Sequence, residues 1–408
     1  MLYIKDIHQV TWDDIESFCQ QRNPEGAYLD YKQEFPSHLE KTIAAMANTL
    51  GGIILIGVAE DMESRPVIPV GGIAFQRGLS ETVINIILTN ITPPVFPEIA
   101  VCRDSSGTRA VVVVRILQSH QTPHAIAGNT EVYLRTGNRN TPEKLAHVNE
   151  IEWLREGRRK SEELREQLYV RAENRLASLH DRQRQEKPKM PKMSLMHGWL
   201  MLSLCPLYPK DPFTTPPELN DVYKRIRVTE YYRTNHEFPL PSLGNGTIVQ
   251  DGIVLHRSDE DGDVFHTELN CFGLYFYKQT VLHEYQPPLG GNPIRIIRAS
   301  EILCRLDEFL DSAIKYYHQI RYWGVLDFRM HLDHIHGCGL GRYHPDEHDT
   351  PPLYSPDAEV RFSDAVLASV LEVEKPQLIL RATQRVGWAF GWNLSEQLLK
   401  SYYAKYKP

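Results

Sequence analysis

Glu25, Asp30 and Lys32 stand close together in the run Pro24-Glu-Gly-Ala-Tyr-Leu-Asp-Tyr-Lys-Gln, and a second acidic pair, Glu60-Asp61, follows about thirty residues later. The first group opens an alternating stretch; the second closes an apolar one. A fold that lays those two strand ends side by side gathers three carboxylates and one ammonium. Hard oxygen ligands hold Mg²⁺ or Mn²⁺, which makes Glu25, Asp30, Glu60 and Asp61 candidate metal ligands. Lys32 would stabilise negative charge developing on a phosphodiester. Carboxylates brought together away from water repel one another unless a cation neutralises them, so their convergence implies a metal. The alternative is that Asp30, Lys32 and Glu34 form the solvated face of an edge strand, with Glu60-Asp61 a polar turn.

The surrounding pattern supplies the elements that would position these groups. Thr11 to Gln20 reads as a short helix, with Thr11 as N-cap and Asp14 three residues on. Tyr28 to Phe35 alternates as a strand does, placing Asp30 and Lys32 on one face and Leu29 and Tyr31 on the other. Ser37 to Thr49 has helical spacing, with Ser37 as N-cap, and Gly51-Gly52 stops it. Ile53 to Val58 is a short, continuous apolar run, the signature of a buried central strand. Leu79 to Thr92 predicts a helix halted by Pro93-Pro94. Ile99 to Cys102 and Arg109 to Leu117 predict a strand pair, and Val132 to Arg135 a last short strand.

Glu25-x4-Asp30-x-Lys32, a helix ending Ala-Asn-Thr-x-Gly-Gly, and a strand Ile-Ile-Leu-Ile-Gly-Val-Ala-Glu-Asp together resemble the Schlafen-type domain, also called the AlbA-type DNA-binding domain. Glu131-Val-Tyr-Leu-Arg-Thr-Gly-Asn-Arg-Asn-Thr-Pro resembles its closing strand and turn. The resemblance spans residues 20–145. It implies a metal-dependent nuclease acting on RNA, tRNA included, with Glu25, Asp30 and Glu60 as the cleavage site and Lys32 beside them. It further implies a stress or antiphage effector. Two departures stand out: Asp30 replaces the usual Glu, which shortens one ligand arm by a methylene, and Ala59 replaces the first Asp after the strand. A non-catalytic nucleic-acid-binding regulator, its C-terminal part taking a ligand or partner, is the alternative.

Arg135, Asn138 and Arg139 sit in a Gly-containing turn suited to phosphate, since guanidinium forks match phosphate oxygens and glycine lets backbone N–H groups approach. A purely structural turn is the equal alternative. Between Arg155 and Lys192 there are twelve Lys or Arg against seven acidic residues, with no Gly or Pro from Arg158 to Lys187. This predicts a long, exposed, basic helix, either a solvated connector or a phosphate-contacting or dimerising one, Arg158, Arg159 and Lys160 among its contacts.

From Met193 the pattern restarts, with a strand at Trp199, a hairpin over Ile248 to Tyr277 turned at Ser258-Asp-Glu-Asp-Gly-Asp, and a helix over Ala299 to Tyr322. Gly324 to His336 alternates, and Ser395 to Tyr406 predicts a closing helix. His331, Asp333, His334, His336 and Cys338, with His344 and His348, form the one His-rich stretch. Zinc would take His331, Asp333 and a partner on the same strand face, but no CxxC anchors it, so an exposed strand and polar loop are expected. No Walker lysine motif, GxGxxG or GxSxG occurs.

The 408 residues suit two domains and a connector: 1–150 for nucleic-acid processing, 151–192 a basic helical linker, and 193–408 an accessory, regulatory or sensing domain. The expected class is α+β. A net charge of −7 argues against a protein that coats nucleic acid wholesale while leaving room for a local basic groove. Six scattered cysteines indicate neither a disulfide framework nor a CxxC site. With no signal peptide and no membrane-length apolar run, the expectation is a cytoplasmic protein, a homo-oligomer that partners nucleic acid rather than membrane.

Overall fold

The computed structural model describes residues 2, 5 and 7–396, apart from 120, 137–141, 187–197, 230–236, 240–245, 259–263, 286–293, 342–352 and 394–395. The turn residues after Ser258, His344, His348 and the helix expected from Ser395 lie wholly or mostly outside the described residues, as do Asn138 and Arg139. The fold is α+β and divides into two compact units, residues 1–161 and 162–408.

The first unit is built on a five-stranded sheet. Strands β1 (Leu29–Lys32) and β2 (Gly52–Ile56) run parallel, with Asp30 opposite Ile54 and Lys32 opposite Ile56. Parallel neighbours need a crossover, and helix α2 (Leu39–Asn48) supplies it, one residue later than the Ser37 cap implied. Strand β3 (Ile73–Ala74) and β4 (Glu98–Arg103) each pair antiparallel with β5 (Arg109–Ile116), which also pairs with β2. Helix α1 (Trp12–Gln20) carries the expected capping box from Thr11 and Asp14.

β2 is buried on both faces, as its unbroken apolar run predicts. Ile54 and Ile56 pack under α2 and α3 (Leu79–Asn90), while Ile53 and Leu55 join Tyr31 and the α1 side chains Ile15 and Phe18. The turn into β2 admits only glycine. Gly51 has φ +73, and a Cβ there would stand 2.5 Å from the Ile116 carbonyl oxygen; one on Gly52 would stand 2.7 Å from that of Tyr28.

Two short strands, β6 (Tyr133–Arg135) and β7 (Glu143–Leu145), close the unit. Helix α4 then runs from Val148 to Glu186, and the unit boundary falls within it.

The second unit holds a seven-stranded antiparallel sheet. Its strands are β8 (Trp199–Pro206), β9 (Thr247–Val249), β10 (Gly252–Ser258), β11 (Val264–Asn270), β12 (Tyr275–Thr280), β13 (Val325–Asp333) and β14 (Glu359–Leu367). Their order across the sheet is β9-β10-β11-β12-β8-β13-β14. The single return strand expected over Val264 to Tyr277 is two strands, because the chain turns at Gly273 with φ +89. One face packs on α5 (Pro216–Arg225), α6 (Ala299–Gln319) and α7 (Leu371–Ala389).

The other face takes the later part of α4, which corrects the reading of that helix as wholly exposed. Leu168, Tyr169, Ala172 and Leu176 are buried there with Met201, Cys205, Leu274 and Phe276. Arg175 joins Glu268 at 2.6 Å and Asp251 at 3.2 Å, and Lys278 joins Glu173 at 2.7 Å. Arg165, Arg171 and Arg175 anchor the helix to carboxylates of the second unit.

All six cysteines are free and buried. Among the described residues no helix is long and apolar enough to cross a membrane.

Candidate functional site

Strand alternation sends Leu29 and Tyr31 into the core beside α1, so Asp30 and Lys32 face the other way. There Asp30 is only 1% exposed and lies between two cations. Lys32 Nζ stands 2.8 Å from its Oδ2, and Arg135 Nη2 stands 3.3 Å from its Oδ1. Despite that closeness, Oδ2 accepts no well-directed hydrogen bond.

Glu25 enters from the preceding loop. Its Oε1 accepts the Tyr31 N–H at 2.6 Å and lies 3.7 Å from Lys32 Nζ, with the side chain 9% exposed. The ammonium of Lys32 thus bridges two carboxylates while remaining 28% exposed.

The electrostatics follow from this packing. Burial, reinforced by the charge of Asp30, pushes Glu25 up to about 7, against the opposing pull of the Tyr31 N–H and Lys32. Burial also disfavours the Lys32 ammonium, but Asp30, Glu25 and Glu60 outweigh it, and Lys32 titrates above its ordinary value. Glu60 is itself exposed and is felt by both groups.

Asp61 faces a different task. Its Oδ1 accepts the N–H groups of Glu63 and Arg65 at 2.9 and 3.0 Å, and its Oδ2 pairs with Arg22. These contacts, the Arg65 N–H first, hold its carboxyl below the usual range. Among the described residues, the Glu25, Asp30, Glu60 and Asp61 oxygens do not gather within 4.8 Å of one another as a ligand set would. Glu25, Asp30 and Lys32 come together, Glu60 borders them, and Asp61 caps its own turn.

Arg135 does not offer its guanidinium to solvent. Its side chain is 1% exposed and is consumed by Asp30, by Glu143 Oε1 at 3.0 Å and by the Gly26 carbonyl at 2.9 Å. The expectation of a phosphate contact at this position is therefore replaced by an internal one: a buried arginine holding the β1 carboxylate in place. Arg159 and Lys160 are 63% and 71% exposed and lean on Glu156, while Arg158 is half-buried.

Several residues that build this site have no functional reading in the sequence. Asn48, at the end of α2, uses its whole amide: Nδ2 donates to the carbonyls of His124 and Tyr133 at 2.8 and 3.0 Å, and Oδ1 accepts the His124 N–H at 2.8 Å. Thr49 Oγ1 accepts the Arg135 N–H at 3.0 Å. Thr42 Oγ1 donates to Glu143 at 2.8 Å. The Asn-Thr-x-Gly-Gly signature, beyond stopping the helix, is a clamp that docks β6 and delivers Arg135 to Asp30.

Residues 25–144 match the family described as Schlafen, AlbA_2, so the chain contains a domain of that type. Domains of the Schlafen/AlbA type are nucleic-acid binding. A solved N-terminal domain of a RecG-related protein from Nitrosomonas europaea is similar at 16% identity. The match covers 34% of this chain and 97% of that one, with a TM-score of 0.26. The DIP2311 protein from Corynebacterium diphtheriae is similar at 18% identity over 32% of this chain and 25% of that one, with a TM-score of 0.24. No curated protein matches the chain.

Proposed function

We propose that the first unit binds a nucleic-acid strand and hydrolyses its phosphodiester backbone with Mg²⁺ or Mn²⁺, RNA being the favoured substrate and tRNA the first to test. The observation that carries this reading is the convergence of Glu25, Asp30 and Lys32, with Asp30 buried, the Glu25 side chain 9% exposed and the ammonium between them. Two carboxylates already gathered around one cationic group offer the hard oxygen donors that a divalent ion takes.

Glu25 and Asp30 would hold the metal and Glu60 would join them; when bound, the ion supplies Lewis acidity and an activated water. Lys32 neutralises charge on the phosphate oxygens. Arg135 orients Asp30 without touching substrate. Arg158, Arg159 and Lys160 would grip the backbone elsewhere along the strand, and the second unit sets when the first acts.

A second reading, binding without cleavage, draws on a specific feature: Lys32 already partners both carboxylates, so a cation has to displace it. Incubating purified protein with total RNA and with DNA, with either metal or with EDTA, decides between them. Metal-dependent fragments that disappear with Asp30→Asn support the nuclease. Binding with no fragments under either metal removes it and leaves the regulator.

A further inference from the structure

The sheet of the second unit carries another group of ligand-bearing side chains, remote in sequence from the acidic cluster of the first. His331 and Asp333 sit two apart on β13, so both project from the face opposite Leu326, Phe328, Met330 and Leu332, which are core. In the antiparallel register Asp333 stands directly opposite Glu359 on β14, and His331 opposite Arg361. His331 Nε2 lies 2.8 Å from Glu359 Oε2, and one ligand atom from each of His331, Asp333 and Glu359 lies within 4.8 Å of the others. Among the described residues this is the sole such trio.

We propose that His331, Asp333 and Glu359 form a binding site for a divalent transition cation of the zinc type. The donor set is one imidazole nitrogen and two carboxylate oxygens, which suits zinc and its neighbours; magnesium and calcium take oxygen alone. Zinc bonds to nitrogen and oxygen are roughly 2.0–2.2 Å, so tetrahedral ligand atoms stand about 3.3–3.5 Å apart. The three ligand atoms already lie within 4.8 Å of one another, about an ångström and a half or less from that spacing.

Charge gives an independent reason for a cation. Two carboxylates directly opposite on neighbouring strands destabilise the pairing. The present neutralisers are shared ones: Arg361 Nη2 is 2.9 Å from the same Glu359 oxygen that His331 contacts. Asp333 leans on the adjoining His334, whose Nδ1 lies 3.0 Å from Oδ2 and whose N–H donates to Oδ1 at 2.7 Å. A divalent ion satisfies both acids at once. The side chains of His331, Asp333 and Glu359 are 20%, 31% and 42% exposed, so an ion has a path in and water completes the coordination.

The test uses the full chain stripped with EDTA and carrying Asp30→Asn, so that the cluster of the first unit does not contribute. Calorimetric titration with Zn²⁺ is expected to show one equivalent bound. His331→Ala and Glu359→Gln, each added to that background, are expected to weaken it by more than about tenfold, with circular dichroism unchanged. Co²⁺ is expected to give a visible d–d band in the parent that His331→Ala abolishes. No Zn²⁺ binding by a folded parent overturns the proposal, and so does binding that both substitutions leave intact. If His331→Ala fails to fold, the affinity of Glu359→Gln alone decides the matter.

Discussion

Two buried charge networks, one in each unit, use the same residue types to opposite ends. In the first unit Asp30 and Glu25 meet Lys32 with one side left open to Glu60 and solvent. In the second, Asp251 and Glu268 meet Arg171, Arg175 and the closing surface of α4. The cations of the second network come from a helix that lies across it, so every charge gained is a helix fastened. The cations of the first come from its own sheet and closing strand, and nothing is fastened by Lys32 beyond the acids themselves. Charge buried under a helix is architecture; charge buried at an open strand end is chemistry in waiting.

The sharpest way to break this contrast is at Arg135. If it is an internal strut, Arg135→Ala breaks its buried ion pairs with Asp30 and Glu143, leaving Asp30 to Lys32 alone, and destabilises the first unit by about 3–5 kcal/mol. Chemical denaturation of a 1–161 fragment measures it. A change below about 1 kcal/mol, with weakened RNA binding instead, would return Arg135 to the substrate side.

Next in size is Asp30→Asn, a nearly isosteric loss of one anion. It is expected to reduce cleavage more than about 100-fold, as removal of a charge-handling group does. RNA binding, followed by gel shift, should persist.

In the second unit the expected effect is on pH rather than catalysis. Burial pushes Glu268 up to about 7 even with Arg175 beside it. In the unfolded chain it titrates as an ordinary glutamate, near 4.3. Between those values the folded state keeps a proton that the unfolded state releases. The stabilisation is therefore full below the window and lost as pH rises through about 7. Glu268→Gln should flatten this slope by of order 2 kcal/mol between pH 5 and 8, read by denaturant melts. An unchanged slope means the network is open to water and the contrast with the first unit fails.

The smallest effect tests the exposed helix. Arg159→Ala with Lys160→Ala is expected to alter stability by less than about 0.5 kcal/mol, since surface pairs contribute little. The salt dependence of nucleic-acid binding should fall by about one to two released counterions. An unchanged salt slope places the phosphate track elsewhere.

The first unit is legible in the sequence because its signals are local. A continuous apolar run marks β2, alternation marks β1, and Thr11 with Asp14 marks α1; the acidic cluster follows from placing strand ends together. What escapes is everything set by partners distant in sequence. Nothing near Arg135 announces that its guanidinium meets Asp30, 105 residues away. Asp61 looks as good a ligand as Glu60 until the N–H groups of its own turn are seen to claim it. Helix α7 evades the pattern because Pro376 lies within it, where proline ordinarily signals a break. The basic stretch reads as solvated because its apolar residues are sparse, yet Leu168, Ala172 and Leu176 suffice to seat it.

The glycine pair ahead of β2 carries a consequence for how such a site endures substitution. Alignment of Asp30 against its neighbours depends on how closely the β2 backbone approaches Tyr28 and Ile116, and that approach is limited only by the missing Cβ atoms at 51 and 52. These positions carry no candidate ligand, yet any side chain there wedges β2 away from its neighbours, among them the strand that bears Asp30 and Lys32. A library randomised at both would collapse to Gly-Gly on function, while the exposed positions 62 and 63 would drift freely. The tolerance map of this domain is thus inverted: its least replaceable atoms are hydrogens.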